Sequence, residues 1–123
     1  MDTGARIYVA GHSGLAGSAL VRALERAGYR NLALRRHAEL ELTDGAAVRA
    51  FFDRERPQYV FIAAARVGGI LANSTYPADF VQQNLAIQLN LINESWRAGV
   101  KRLIFLGSSC IYPRDCPQPM REE

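Results

Sequence analysis

At residues 6–17 the chain has the sequence Arg-Ile-Tyr-Val-Ala-Gly-His-Ser-Gly-Leu-Ala-Gly, which is the most informative segment for the architecture. β-Branched and aromatic residues alternate at its start, three glycines follow at intervals of three, and a run rich in alanine and leucine comes next. This order predicts a buried strand, a tight turn and the beginning of a helix. Together these three elements form the opening of a nucleotide-binding sheet.

Each glycine of the turn has its own expected task. Gly11 allows the tight turn, Gly14 lets the backbone approach a pyrophosphate, and Gly17 lets the helix pack closely on the strand. The pyrophosphate would lie at the helix N-terminus, where free N–H groups and the helix dipole favour an anion. Three glycines alone also occur in ordinary glycine-rich loops, so the strand before them and the helix after them carry the prediction.

Composition limits the class of protein. With 123 residues and a net charge of +3, the chain fits at most one domain. No apolar run approaches the roughly 20 residues of a membrane span and no signal peptide is evident, so we expect a cytoplasmic protein without a membrane partner. Scattered basic residues favour solvated surfaces over a nucleic-acid interface. The spacing of Cys110 and Cys116 fits neither a redox motif nor a zinc pair, so we expect free thiols and no metal.

The remaining chain predicts alternating helices and strands. The continuous apolar run at residues 59–64 is typical of a parallel strand buried on both faces, and residues 102–106, apolar after Arg102, predict a further buried strand. Residues 65–76 form a long connection at a strand's carboxyl end, where doubly wound sheets bind ligands. We therefore expect an α/β fold with a doubly wound parallel sheet of the Rossmann type, incomplete, in the strand order 3-2-1-4. The other expected elements are helices at 15–27, 45–55 with Asp44 as cap, and 78–98, and a strand at 31–34.

The helix predicted at 78–98 has two apolar stripes on the order of 140° apart. A helix that rests only on a sheet needs one stripe, so the other implies a neighbouring or partner-chain helix. We expect Phe80, Ile87 and Leu91 to form that second, partner-facing stripe. Asn84 lies between the stripes and fits a polar residue in a helix seam. The stripe expected on the sheet comprises Val81, Leu85, Leu89, Ile92 and Trp96.

Arg35, Arg36 and His37 follow the second strand, at the place where a dinucleotide fold contacts the adenosine ribose. An acidic residue there would favour NAD, whereas arginines suit the 2′-phosphate of NADP. These residues therefore favour NADP(H). A basic surface turn without a ligand stays open as the alternative.

Several motifs carry a resemblance to a known family. They are the glycine turn, Ala-Ala-Ala-Arg-Val-Gly-Gly-Ile at residues 63–70, Asn-Ser-Thr-Tyr-Pro-Ala-Asp-Phe at 73–80, and Leu-Gly-Ser-Ser-Cys-Ile-Tyr-Pro at 106–113. With them the chain resembles the extended short-chain dehydrogenases/reductases, and among these the GDP-L-fucose synthase family. The resemblance covers essentially the whole chain but only the N-terminal part of that family. It implies that residues 1–123 are the N-terminal part of an NADP-binding Rossmann domain, without the substrate domain.

The resemblance implies a reaction and roles in it. The family epimerises C3 and C5 of GDP-4-keto-6-deoxy-D-mannose and then reduces the C4 ketone with NADPH. Cys110 matches the epimerisation acid/base, and its thiol has an ordinary pKa of about 8.5, within tuning range of neutral pH. Ser108 matches the serine that hydrogen-bonds the C4 carbonyl, and Asn84 matches a helix asparagine of the reductase machinery. Ser108, Ser109 and Cys110 are the expected substrate contacts.

The resemblance also implies a cofactor site and a partner. We expect NADP(H) as cofactor, a GDP-sugar as substrate, and a homodimer of the full-length family through helix 78–98. Arg66 stands where the family's lysine is expected, and Ser13 departs from the arginine often seen in the glycine turn. The residues expected to bind the cofactor are Gly11, His12, Ser13, Gly14, Leu15, Ala16, Gly17, Arg35, Arg36, His37, Leu40, Ala63, Ala64 and Leu106.

One feature of the family pattern is missing from these 123 residues. The Tyr-x-x-x-Lys pair that supplies the proton for ketone reduction does not occur, and Tyr112 is followed four residues later by Cys116. We therefore expect this chain alone to be inactive. The alternatives are a non-catalytic nucleotide-binding module or pseudoenzyme, and another epimerase or dehydratase of sugar nucleotides. Cys110 and the Val-Gly-Gly-Ile loop disfavour an epimerase that acts only at C4.

Overall fold

A computed structural model describes residues 1–108, 111–113 and 115–122 of the chain. Strands and helices alternate along most of it, as the apolar pattern predicts. In chain order the elements are β1 (Ile7–Ala10), α1 (Leu15–Arg26), β2 (Leu32–Ala33), α2 (Gly45–Glu55), β3 (Tyr59–Ile62), α3 (Ile70–Thr75), α4 (Pro77–Arg97) and β4 (Arg102–Phe105).

The four strands form one parallel sheet in the order β2-β1-β3-β4. The predicted α/β fold with a parallel Rossmann-type sheet is confirmed, but the predicted order 3-2-1-4 is wrong. β3 pairs with β1 along its whole length, from Tyr59 opposite Ile7 to Ile62 opposite Ala10. The reason is that an apolar β3 is best buried between two strands, whereas the two-residue β2 can form an edge at little cost.

Helices cover both faces of the sheet and divide the core in two. On one face, Tyr8 and Val60 pack with α2 and α4 residues, including Phe51, Phe52 and Leu91. On the other face, Ile7, Val9 and Phe61 pack against α1 through Leu24. The rings of Tyr8, Phe51 and Phe52 meet in tilted and edge-to-face arrangements, with centroids 4.5 to 6.1 Å apart. The doubly wound arrangement thus rests on alternate residues of β1 and β3.

The roles of the two stripes of α4 are the reverse of the prediction. Ile87 and Leu91 are buried in the core cluster that contains β1 and β3 residues, and Phe80 is buried beside the loop after β3, so this stripe is not the exposed one. The periodicity of a helix fixes the angle between two stripes, but only the neighbouring elements decide which stripe faces inward. We call the exposed stripe the outer stripe; it comprises Val81, Leu85, Leu89, Ile92 and Trp96.

Local signals place the helix ends where the sequence predicts them. The Asp44 carboxylate caps α2 by accepting from the N–H groups of Ala46 and Ala47 at 2.9 and 3.1 Å. Pro77 is the first residue of α4, where its missing N–H costs nothing. The connection predicted at 65–76 also contains the short helix α3, which its mixed polar sequence did not indicate.

β4 forms one edge of the sheet and has no strand beyond it within the described residues. Ile104, Phe105 and Leu106 are each exposed by 40 % or more of their surface. In the described part of the chain, no helix combines the length and apolar character that crossing a membrane demands.

Candidate nucleotide-binding site

The glycine turn joins β1 to α1 and depends on close backbone contacts. Gly11 has φ +78°, and a Cβ built on it would lie 2.6 Å from the Ala63 carbonyl oxygen. A Cβ on Gly17 would overlap the Gly11 carbonyl group, 2.6 Å from its carbon. Both positions therefore require glycine, the first for its backbone conformation and for space, the second for space alone. Ala63 in turn donates its N–H to the Ala10 carbonyl at 3.0 Å, which fixes the end of β3 beside the turn.

The N-terminus of α1 is open toward the turn. Gly14 is its cap residue, no side chain bonds the first N–H groups, and the first turn holds no acidic residue. A Cβ on Gly14 would meet only the Gly11 oxygen, at 3.4 Å, so little crowds the backbone there. Leu15 and Ala16 are exposed beside it. An uncapped helix start with an uncrowded backbone fits the diphosphate of a dinucleotide.

His12 and Ser13 line the same turn. The Nδ1 atom of His12 is buried and has no hydrogen-bond partner, although the residue as a whole is only half-buried. Ser13 is exposed. Buried polar atoms normally have a hydrogen-bond partner. An unpaired buried nitrogen beside an uncapped helix N-terminus is therefore uncommon in a turn that binds no ligand.

Arg35 is committed to an ion-pair network. Its guanidinium donates to the Glu55 carboxylate at 2.5 Å and to the Leu34 carbonyl at 2.7 Å, and lies over the Phe51 ring. Arg6 binds the other oxygen of Glu55. The hydrogen bond from Arg6 lowers the pKa of Glu55, although burial works against it. Arg35 therefore serves the contact between β2 and α2.

Arg36 has no such commitment. Its side chain is exposed and makes no ion pair with any described residue, while its backbone N–H donates to Glu39 at 2.7 Å. His37 is exposed and lies 3.3 Å from Glu41. Leu40 is buried in the core under this turn. Of the four residues predicted here for the cofactor, Arg36 is the cation most available to a phosphate.

Asn84 reaches from α4 to the loop after β3. Its side-chain oxygen accepts the Arg66 N–H at 2.7 Å, and its side-chain nitrogen donates to the Arg66 carbonyl at 3.0 Å. Both ends of the amide are therefore used on one residue of the loop. Asn84 thus fixes the course of the chain at the carboxyl edge of the sheet, a contact that the sequence pattern could not indicate.

The predicted substrate contacts lie after β4. Ser108 is exposed, and its carbonyl accepts the Ile111 N–H at 3.2 Å. Ser109 and Cys110 lie outside the described residues. Cys116 has a free thiol. Leu106 donates its N–H to Ile62 at 3.1 Å, so the segment that leads to Ser108 begins beside β3.

These segments meet at one edge of the sheet. The strands are parallel, so the glycine turn after β1, the loop after β3 that begins with Ala63 and Ala64, and the segment after β4 all leave the same edge. This is the edge at which doubly wound sheets bind nucleotides. The described residues hold no group of three or more metal-ligating side chains. Glu55 and Phe80 carry no signal in the sequence for their contacts with Arg35 and Arg66, because those contacts join elements that are distant along the chain.

A separate cavity of about 370 Å³ lies between α2 and α4. It is lined by polar residues, among them Asn90 and the buried Glu94. Glu94 already pairs with Arg49 at 3.3 Å and with Arg97. The cavity therefore offers a ligand no unpaired buried charge.

Known proteins resemble the chain closely. It is 59 % identical over 121 residues to GDP-L-fucose synthase 1 of Arabidopsis thaliana, covering 98 % of this chain and 38 % of that protein. It is 52 % identical over 117 residues to GDP-L-fucose synthase of Escherichia coli strain K12, covering 95 % and 36 %. The chain thus spans a little over a third of the length of these curated relatives.

A solved structure shows the same backbone arrangement. MlghC, a GDP-mannoheptose C4 reductase from Campylobacter jejuni with NADP bound, superposes with a TM-score of 0.94 at 44 % identity, covering 98 % of this chain and 38 % of that one. Residues 7–123 match the NAD dependent epimerase/dehydratase family, a span that includes the glycine turn, the loop after β3 and the segment after β4. The chain belongs to the NAD dependent epimerase/dehydratase family.

Proposed function

We propose that the chain is the NADP(H)-binding part of a sugar-nucleotide epimerase/reductase of the GDP-L-fucose synthase type, acting on GDP-4-keto-6-deoxy-D-mannose in the cytoplasm. The observation that carries the proposal is the uncapped start of α1 behind a turn that admits only glycine at Gly11 and Gly17. The high identity to GDP-L-fucose synthases over nearly the whole chain supports the substrate class.

In this proposal the glycine turn holds the diphosphate of the cofactor. The N–H groups at the start of α1 point to that position and carry the positive end of the helix dipole. The exposed Arg36 binds the 2′-phosphate, because a guanidinium matches the geometry of phosphate oxygens. Arg35, the residue before Arg36, holds the segment after β2 in place through its ion pair with Glu55.

The catalytic residues act on the sugar ring. The C4 ketone acidifies the protons at C3 and C5, and the Cys110 side chain is one of the two acid/base groups that exchange them. It acts on one face of the ring, and an imidazole on the opposite face takes or returns the other proton, so that each centre is inverted. The hydroxyl of Ser108 donates a hydrogen bond to the C4 oxygen and stabilises negative charge that develops there. NADPH, when bound, supplies the hydride for C4. Asn84 keeps the loop after β3 in place through both bonds to Arg66.

Cofactor binding gives the direct test. NADPH should bind more tightly than NADH in calorimetric titrations of the chain, because Arg36 pairs only with the 2′-phosphate. Arg36→Gln should weaken NADPH binding roughly tenfold, which is the value of about one charge-assisted hydrogen bond. The affinity for NADH should stay unchanged. Arg30→Gln, which also removes an exposed arginine, is the matched control. Equal affinities for the two cofactors would contradict the assignment.

The chain alone should not reduce the ketone. It contains no Tyr-x-x-x-Lys pair, and general acid catalysis contributes roughly 10² to 10⁴-fold to such steps. Steady oxidation of NADPH that depends on GDP-4-keto-6-deoxy-D-mannose would refute this expectation. A non-catalytic nucleotide-binding module would give the same silent assay, and a Tyr-x-x-x-Lys encoded shortly downstream would separate the two.

A different GDP-sugar is the second candidate substrate. The reductase from Campylobacter jejuni, 44 % identical to this chain, acts on a GDP-mannoheptose. In a longer protein that carries this chain, Cys110→Ser should impair epimerisation and leave reduction largely intact. An unchanged epimerisation rate in that variant would contradict the role proposed for Cys110, whereas a parent protein that reduces C4 without epimerising would favour a simple C4 reductase.

For assembly, we propose that the outer stripe of α4 forms the homodimer surface. Its five apolar side chains are each exposed by 47 % or more, in a helix whose other apolar stripe is already buried. A contiguous exposed apolar surface of this kind marks a protein interface.

A further inference from the structure

The loop after β3 lies in the middle of the candidate site. Since the strand order is β2-β1-β3-β4, this loop stands between the glycine turn after β1 and the segment after β4 that holds Ser108. Its first residues touch the turn, because a Cβ on Gly11 would lie within 2.8 Å of the Ala64 Cα. Whatever projects from this loop lies between the proposed positions of cofactor and sugar.

Arg66 projects from that loop and is held at two points. Asn84 bonds both its N–H and its carbonyl, and its guanidinium carbon lies 4.9 Å from the centre of the Phe80 ring. Phe80 is itself 8 % exposed and packed at the start of α4. A guanidinium that stacks on an aromatic face keeps its N–H donors in the ring-parallel plane, where they can still bind an anion.

Among the described residues, the charge of Arg66 has no carboxylate partner. The side chain is exposed. Arg35 gives the contrast within the same chain, because its guanidinium also stacks on a phenylalanine yet is neutralised by Glu55 at 2.5 Å. Ordering a long side chain costs conformational entropy, so a cation that is fixed and unpaired is prepared for an anion from outside.

We propose that Arg66 binds a diphosphate oxygen of a nucleotide ligand at the carboxyl edge of the sheet. This assignment rests on the proposed function. A diphosphate reaches this edge from two sources, the dinucleotide cofactor and the GDP moiety of the substrate. Both diphosphates offer the planar guanidinium of Arg66 the same pair of oxygen atoms. Separate binding experiments with each nucleotide therefore distinguish the two sources.

The test compares Arg66→Gln with Arg102→Gln. Both substitutions remove one exposed arginine. Arg102, however, is the first residue of β4 and so lies at the amino ends of the parallel strands, opposite the candidate site. NADPH and GDP are titrated separately into the chain and both variants by calorimetry, at low and at high salt. We expect Arg66→Gln to weaken binding of one nucleotide about tenfold and to flatten its salt dependence, because an exposed charge contact is screened by salt. Arg102→Gln should leave both affinities within about twofold.

The outcomes separate this assignment from the proposed function. Loss of NADPH affinity identifies the cofactor diphosphate as the ligand, and loss of GDP affinity identifies that of the substrate. If the unaltered chain binds NADPH and Arg66→Gln binds both nucleotides like the parent, the Arg66 assignment is wrong and the proposed function stands. If the unaltered chain binds neither nucleotide, both fall. Arg66→Lys keeps the charge and should retain most of the salt dependence of binding. If the salt dependence disappeared completely in Arg66→Lys, that result would also overturn the proposal.

Discussion

β1 and β4 are four-residue strands of the same parallel sheet, and both contain branched and aromatic residues. All four residues of β1 are at most 1 % exposed, whereas Ile104 and Phe105 of β4 are 40 % and 44 % exposed. β1 pairs with a strand on each side and has helices over both faces, while β4 pairs within the described residues with β3 alone. Strand composition therefore describes what a strand can bury, and its neighbours decide what it does bury.

The same difference divides α4 lengthwise. Its inner residues Phe80, Ile87 and Leu91 join the core, and its outer stripe is exposed. We call β1, β2 and β3 with α1, α2 and the inner face of α4 the closed half, and β4 with the outer stripe the open half. The closed half also pairs its buried charges, as Glu55 does with Arg6 and Arg35.

The largest expected effect compares one phenylalanine from each half. Phe52 is fully buried between Tyr8 and Phe51, so Phe52→Ala should cost about 3–5 kcal/mol of unfolding free energy. Phe105→Ala should cost about 1 kcal/mol, because nearly half of that side chain is already in water. Urea denaturation followed by circular dichroism measures both. Equal costs would mean that β4 is covered in solution, for example by a second copy.

A smaller effect concerns the paired charge of the closed half. The hydrogen bond from Arg6 lowers the folded-state pKa of Glu55, so its carboxylate stabilises the fold above the unfolded pKa. This contribution should be lost as the pH falls through the folded-state value. Glu55→Gln should cost about 1.5–3 kcal/mol at pH 7, the usual value of hydrogen bonds to a charged group.

Glu25→Gln is the control for this change. Glu25 lies exposed on α1 without an ion pair among the described residues, so its replacement should leave stability nearly unchanged. The two variants should also differ in how the free energy of unfolding depends on pH. On the acid side, this free energy should fall less steeply with decreasing pH in Glu55→Gln than in the parent, and Glu25→Gln should follow the parent. Parallel acid limbs for Glu55→Gln and the parent would show that Glu55 does not contribute in this way.

Substitutions in the open half are expected to have the smallest effect on the free energy of unfolding. They should instead change the association of the chain. The exposed edge of β4 and the outer stripe should make the chain self-associate or aggregate. Leu89→Glu places a charge in the outer stripe and should reduce association while changing unfolding free energy by no more than about 0.5 kcal/mol. Analytical ultracentrifugation measures this.

Ala23→Glu adds the same charge to an exposed position of α1, which covers the other face of the sheet from α4. It should leave association unchanged. A parent chain that sediments as a stable, sharply melting monomer would contradict the assembly prediction altogether.

Sequence reasoning succeeded where the signal was local. The bounds of α2, the Asp44 cap and the position of Pro77 follow from capping and proline chemistry within a few residues. It failed where the signal was between elements. The strand order and the inward stripe of α4 depend on which surfaces meet, and both predictions were wrong.

The candidate site divides in the same way. The spacing of the three glycines between an apolar strand and a helical run predicts the glycine turn without any coordinates. The structure adds the reason, because Gly11 has a positive φ and a Cβ would not fit at Gly11 or Gly17. Tertiary packing determines that Arg35 is held by Glu55 while Arg36 stays exposed, and that Asn84 binds the backbone of Arg66. A turn is fixed by dihedral angles of adjacent residues, whereas the partner of a long side chain depends on elements that the chain brings together only when it folds.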